Sequence, residues 1–416
     1  MAAPGIARVA RLRSARRFAT AFTLLLLASA SLSCSDIALK PKVPVRVSGM
    51  IADRDGAPMA GAWIAFDNAD PTYPYDPSTH AQVQTDAAGA YAVTLVAGRY
   101  DVSAQPPFSS GYATARVRGV ELRTAPATFS YRFSGLKVTG VVTVPGGAPL
   151  ASGAASAYGG NSVASAYIAS GVFSLFLPAG SYQVTVGPSD YESGIPTRTY
   201  FGLRFASDTT LTFSLDGYLV GGTVTGPGGQ PLIGARVGGT NLRARSTART
   251  NASGAYEVYV PGGDYDWFVQ PGILNSNIVS RIFPTTTVTA PQTKDFDLSG
   301  VTWSGTVRLA STGEPVPSIP VSVYGRSAYG TAYVTSGPAG DFSFVVKQYG
   351  IYDVRAESYE QGLEGHLEGM EAVNDSIFDV LLSPSSGRVL LTRRQARASG
   401  GVNGSGTRTG WPSTRP

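Results

Sequence analysis

The run Thr85-Asp86-Ala87-Ala88-Gly89-Ala90-Tyr91 returns as Thr250-Asn251-Ala252-Ser253-Gly254-Ala255-Tyr256, and in trimmed form as Ser170-Gly171-Val172-Phe173 and Ala339-Gly340-Asp341-Phe342. Each copy is followed by a second landmark: Gly98-Arg99-Tyr100-Asp101-Val102, Gly180-Ser181-Tyr182-Gln183-Val184, Gly263-Asp264-Tyr265-Asp266-Trp267 and Gly350-Ile351-Tyr352-Asp353-Val354. Tyr and Val two positions apart fall on one face of a strand, and Asp-x-x-Gly supplies a turn between antiparallel strands. Upstream, each copy opens on an alternating strand around a glycine: Val47-Ser48-Gly49-Met50-Ile51, Val138-Thr139-Gly140-Val141-Val142, Val220-Gly221-Gly222-Thr223-Val224 and Trp303-Ser304-Gly305-Thr306-Val307. Gly-x-Pro turns follow at Gly56, Gly147, Gly229 and Gly313. From Gly89 to Gly140, Gly171 to Gly222 and Gly254 to Gly305 the separation is 51 residues each time. A fixed period of this kind marks tandem units of one fold. Period-two alternation with frequent turns predicts an all-β chain of four tandem β-sandwich domains, about seven strands each. The landmark Tyr and Phe belong to their cores.

The copies lay out the chain as a sandwich over 47–135, a second over 136–217, a third over 218–300 and a fourth over 301–384. Residues 34–46 form a tether and residues 385–416 an Arg- and Gly-rich tail with little apolar surface to bury, expected to be disordered. The first copy carries an insertion between Phe66 and Val83, the place for a loop. Ser134-Gly135, Asp216-Gly217 and Ser299-Gly300 separate successive copies almost without slack, which predicts a semi-rigid array.

Composition removes most familiar chemistries. In 416 residues there are one Cys, two His, 50 Gly and 28 Pro. A single Cys makes neither an internal disulfide nor a cysteine zinc site. The formal charge of +5 would suggest an anionic partner, but 11 of the 33 basic residues lie in two acid-free terminal segments. The remaining 22 face 28 acidic residues between positions 34 and 387. The body is mildly acidic, which argues against a nucleic-acid partner. No nucleophile elbow, metalloprotease motif, Walker loop or dinucleotide fingerprint is present. The chain therefore reads as a non-enzyme without cofactor or metal.

Residues 1–33 have a basic n-region, an apolar stretch around Leu24-Leu25-Leu26-Leu27 and small residues beyond it, the layout of a signal peptide. The only cysteine follows in Ser31-Leu32-Ser33-Cys34, which resembles the lipobox of bacterial lipoproteins. That resemblance implies a lipid-anchored N-terminus at Cys34, and Ser35-Asp36 is compatible with export to an outer membrane. A cut after Ala28-Ser29-Ala30 would instead release a soluble periplasmic or secreted chain.

The repeated Val-x-Gly-x-Val, Gly-x-Pro, Thr-Asp-Ala-x-Gly-x-Tyr and Gly-x-Tyr-x-Val resemble the carboxypeptidase regulatory-like domain, a transthyretin-like (prealbumin-like) sandwich often grouped with carbohydrate-binding-like folds. The first and third copies fit best; the fourth has Ser318-Ile319 where others have Gly-Ala. The resemblance implies non-catalytic modules that accompany peptidases or stand in series in bacterial envelope proteins. Related surface modules can carry a Lys–Asn isopeptide bond, but Lys137 is the only Lys in an opening strand and no Asn lies in Leu211–Leu215.

Three places could hold chemistry. The insertion gathers Asp67, Asp70, Tyr73, Tyr75, Asp76 and His80, which could hold Ca²⁺ or stack on a sugar or peptide, or simply form a solvated Pro-rich loop. Asp53-Arg54-Asp55-Gly56 starts like a calcium loop but has Ile64 at the twelfth position, so it reads as a hairpin turn. Glu357, Glu360, Glu364, Glu368 and Glu371 surround His366 as a solvated strand edge or loop. The function expected is a cell-envelope lipoprotein whose tandem domains act as spacer, scaffold or adhesion module, with an envelope protein or glycan as partner. The alternative is a glycan- or peptide-binding protein using the first-copy loop or a domain junction.

Overall fold

The computed structural model describes residues 43–69, 80–123, 126–160, 162–326 and 330–385. They form strands joined by turns and a few single-turn 3-10 segments. The described residues divide into two compact units, one of residues 43–107 with Tyr112–Gly135, the other of Phe108–Gly111 with residues 136–385.

The first copy supplies β1 (Pro44–Ala52), β2 (Trp63–Asn68), β3 (His80–Gln84), β4 (Ala90–Val96), β5 (Gly98–Gln105), β6 (Ala115–Leu122), β7 (Ala127–Thr128) and β8 (Tyr131–Arg132). The second supplies β9 (Leu136–Thr143), β10 (Ser152–Gly159), β11 (Ser162–Ala169), β12 (Val172–Leu177), β13 (Gly180–Pro188), β14 (Thr197–Phe205) and β15 (Thr209–Ser214). The third supplies β16 (Tyr218–Thr225), β17 (Arg236–Thr240), β18 (Ala244–Arg249), β19 (Ala255–Val260), β20 (Gly263–Gln270), β21 (Arg281–Val288), β22 (Gln292–Thr293) and β23 (Phe296–Asp297). The fourth supplies β24 (Val301–Leu309), β25 (Pro320–Gly325), β26 (Thr331–Thr335), β27 (Asp341–Val346), β28 (Ile351–Ser358), β29 (Leu363–Glu371) and β30 (Ser376–Pro384).

In the first unit, β4-β1-β7, with β8 continuing along β1, faces β3-β2-β5-β6. The second unit repeats the arrangement. Its opening strands β9, β16 and β24 pair antiparallel with β12, β19 and β27. Turn chemistry alone predicts antiparallel neighbours, yet the closing strands β15, β22, β23 and β30 run parallel to their opening strands. In the first copy and the third, the closing segment follows the outermost strand of the other sheet, β6 and β21. It therefore crosses between sheets instead of folding back through a hairpin, and a crossover is what parallel pairing needs.

That crossover explains the opening glycine. A β-carbon on Gly49, Gly222 or Gly305 would stand 1.7, 2.1 or 1.7 Å from the carbonyl oxygen of Phe129, Lys294 or Phe378 on the closing segment. The Tyr91 and Tyr256 hydroxyls donate to two of these oxygens, those of Phe129 and Lys294, at 2.6 and 2.7 Å. Burial pushes both phenols well above their ordinary range. In the second copy the ring of Phe173 fills the space over Gly140 instead.

The Thr-Asp pair is equally structural. Thr250 Oγ1 donates to Leu232 O at 2.5 Å and accepts from Ala235 N at 2.8 Å; Thr85 does the same with Met59 and Ala62. The following side chain holds the turn: Asp86 Oδ1 accepts from the amides of Ala88 and Ala90 at 2.9 Å. Gly254 then takes φ of 74°, which L side chains rarely adopt. The second landmark is core, with Tyr100, Tyr182, Tyr265 and Tyr352 all at most 5% exposed.

Candidate functional site

Of the residues singled out in the insertion, Asp67 and His80 face each other across the β2–β3 ladder, His80 Nδ1 lying 3.2 Å from Asp67 Oδ1. Both side chains are about half exposed, so this is a surface pair and not an enclosed site. Asp70, Tyr73, Tyr75, Asp76 and Cys34 lie outside the described residues. Among the described residues no three His, Cys, Asp or Glu group in a way that could hold a metal ion. Asp53 Oδ1 accepts from the amides of Asp55 and Ala57 at 2.9 and 2.8 Å, so that carboxylate is spent on its turn. The acidic run spans the β28–β29 hairpin, where Glu368 pairs with Arg326 at 2.9 Å. Arg326 also pairs with Asp353 and, by hydrogen bonding, holds that carboxyl below the ordinary range.

Sequence reasoning missed two features of the second unit. The first is a repeated joint. The segment between β13 and β14 reaches the open edges of the third copy: Gly194 N donates to Thr247 O on β18 at 2.9 Å, and Tyr259 N on β19 donates to Gly194 O at 2.8 Å. Ser246 Oγ adds a bond to the same oxygen at 2.8 Å. Next to it β14 pairs with β18, so one eleven-stranded sheet runs through both copies. The segment between β20 and β21 does the same to the fourth copy: Tyr333 N on β26 donates to Ser276 O at 3.0 Å and Val345 N on β27 to Asn277 O at 2.9 Å. The peptide Phe108–Gly111 occupies the matching place on the second copy, with Gly111 N on Ser165 O at 3.2 Å and Phe176 N on Gly111 O at 2.8 Å. Gly111, Gly194 and Asn277 are spaced 83 residues apart; that spacing was the available signal.

Arginines hold the chain ends that lead into the connections. Arg281, 8% exposed, donates through Nη1 to Asp297 O at 3.0 Å and through Nη2 to Leu298 O at 2.9 Å. Its counterpart Arg198 donates to Ser214 O at 3.0 Å.

The second feature is a cleft of about 360 Å³ lined by Tyr191, Glu192, Arg236, Arg249, Ile273 and Tyr333, among others. The joint segments supply Tyr191, Glu192 and Ile273; β17, β18 and β26 supply the rest. Glu192 Oε2 accepts from Arg249 Nε at 2.5 Å, while Oε1 lies 3.5 Å from Arg236 Nε. Arg236 lies over the Tyr191 ring at 5.1 Å and the Phe268 ring at 5.7 Å, and Arg245 over Phe268 at 5.4 Å. Burial first, and the charge of Arg236 second, lower the pKa of Arg245. Cations thus outnumber the single carboxylate, and the arrangement suits an anionic or polar ligand rather than proton transfer.

Comparison with solved structures finds proteins of low similarity. The Bacillus anthracis TIE protein is 12% identical, covering 89% of this chain and 79% of its own, with a TM-score of 0.19. Shaft pilin SpaA from Lactobacillus rhamnosus GG is 12% identical over 41% of this chain and 99% of its own, TM-score 0.19. The dioxygenase domain of a dioxygenase carbohydrate-binding protein fusion from Streptomyces sp. SirexAA-E is 19% identical over 23% of this chain and 82% of its own, TM-score 0.18. Similarities at this level carry no argument about activity. No curated protein matches the chain. Residues 46–131 match the carboxypeptidase regulatory-like domain, the span that holds the first-copy Gly49, Thr85-Asp86, Tyr91 and Tyr100 whose structural work is described above.

Proposed function

We propose that the protein is a non-enzymatic cell-envelope scaffold: exported by residues 1–33, lipid-anchored at Cys34 on an outer membrane, and built of four sandwiches in series over 47–135, 136–217, 218–300 and 301–384. The observation that carries this reading is the joint. Copies in the second unit are tied by main-chain hydrogen bonds, and Arg198 and Arg281 brace the ends of the second and third copies where each leads into the next, as a spacer under tension requires. The non-catalytic character of the matched domain type supports it as well. The interiors are given to cohesion, since the repeated Tyr, Thr and Gly landmarks are all used in packing or main-chain bonding.

Single-molecule extension tests the serial organisation. Each sandwich of about 82 residues should release roughly 280 Å of contour length at about 3.4 Å per residue. Four such steps are expected; one step of about three times that length for residues 136–384 would remove the reading of separate modules. Fatty-acid labelling tests the anchor: label should appear on the wild-type chain and be lost in Cys34→Ala.

A further inference from the structure

We propose that the cleft beside Arg236 and Arg249 binds the carboxylate of an acidic oligosaccharide. This goes beyond the scaffold reading and stands or falls separately from it. Arg236 Nε is shut off from solvent and has no hydrogen-bond partner among the described residues. The nearest carboxylate oxygen, Glu192 Oε1 at 3.5 Å, is too distant for a proper hydrogen bond. The other Glu192 oxygen is already taken by Arg249. Leaving a buried donor unmet is costly, and native proteins rarely tolerate it without a ligand or a bound water. The faces of the Arg236 guanidinium lie against Tyr191 and Phe268. With Nε sealed beside Glu192, the part of this 24% exposed side chain left for a ligand is its terminal pair of nitrogens, an edge that receives a carboxylate bidentately.

Several features favour a sugar acid over a peptide. An extended peptide binds by adding to a free strand edge, but the edges bordering this cleft are occupied: Thr247 O by Gly194 N, and Tyr333 N by Ser276 O. Recognition must therefore come from side chains. Tyr191 and Tyr333 are 60% and 54% exposed at the cleft, offering aromatic faces to the apolar side of a pyranose ring. A volume near 360 Å³ falls within the range of small-ligand sites and admits a short oligosaccharide segment.

Titration calorimetry of the full chain at low salt, with a galacturonic acid tetrasaccharide as probe, tests this. Binding is expected to the free acid, at least about tenfold weaker to its methyl ester, and at least about tenfold weaker in Arg236→Gln. Tyr333→Ala, at an exposed ring, should weaken binding without changing the melting temperature, which keeps the test open if Arg236→Gln fails to fold. Absence of binding would overturn the proposal. So would equal binding of acid and ester, unchanged affinity in both variants, or preference for a peptide C-terminus over the sugar. Unchanged affinity in Arg236→Gln alone would mean that water satisfies the guanidinium, which likewise overturns it.

Discussion

A β-carbon on Gly222 would stand 2.1 Å from the carbonyl oxygen of Lys294, the oxygen on which the Tyr256 hydroxyl closes at 2.7 Å. Gly222→Ala therefore forces two backbones apart as well as filling space. Overpacking of this kind costs about 1–3 kcal/mol, and contact with a main-chain atom puts this case at the upper end. Urea denaturation should show a lower midpoint for the second unit.

Thr250→Val removes a buried hydroxyl that serves Leu232 O and Ala235 N together. The shape is kept and the bonds are lost, so a destabilisation of about 1–3 kcal/mol is expected. Thr250→Ser should recover most of it in the same denaturation experiment.

Arg281→Met leaves the carbonyls of Asp297 and Leu298 without their donor. The expected loss is about 1–3 kcal/mol, because the cost of burying the cation is relieved while the acceptors are stranded. Hydrogen exchange should accelerate in the connection 297–301 before it does in the core strands.

Gly194 has φ of 77°, and a β-carbon there would lie 2.6 Å from Glu257 O. Gly194→Val should detach the joint while leaving both flanking cores folded. The amides of Gly194 and Tyr259 would lose exchange protection, and those of Val184 and Val258 would keep theirs.

Asp353 has its carboxyl pKa lowered by its hydrogen bond from Arg326. A lowered folded-state pKa contributes stability above the ordinary aspartate range and loses it as pH falls through the folded value. Asp353→Asn should therefore lower stability near neutrality, by a small amount because Arg326 is half exposed, and converge with the wild type below the folded pKa, which flattens the acid side of the profile. A thermal-melt series from pH 7 downward measures it.

The β-sandwich was legible because alternation and turn residues are local: Tyr-x-Val puts Tyr100 and Val102 on one buried face, and Thr85-Asp86 announces its turn by composition. Strand direction was not legible. Alternation is the same for parallel and antiparallel partners, so the pairing of β15 with β9 carries no sequence mark. The joints left only the 83-residue spacing of Gly111, Gly194 and Asn277, a weak trace because a loop glycine reads first as a turn. The cleft left none: Glu192, Arg236 and Tyr333 are far apart in the chain and meet only through those joints. Of the insertion, the Asp67–His80 pair is an exposed contact across a ladder.

The hairpin between β28 and β29 spans only 359–362, whereas the equivalent segments span 106–114, 189–196 and 271–280. Tyr359 at its tip is 66% exposed. Among the described residues the fourth copy accepts a neighbour's arm but offers no loop of that length between its own β28 and β29, so the series has a polarity. Gene duplication could lengthen it by inserting copies ahead of residue 301, whereas a copy appended behind residue 384 would hang untied until that short hairpin grew.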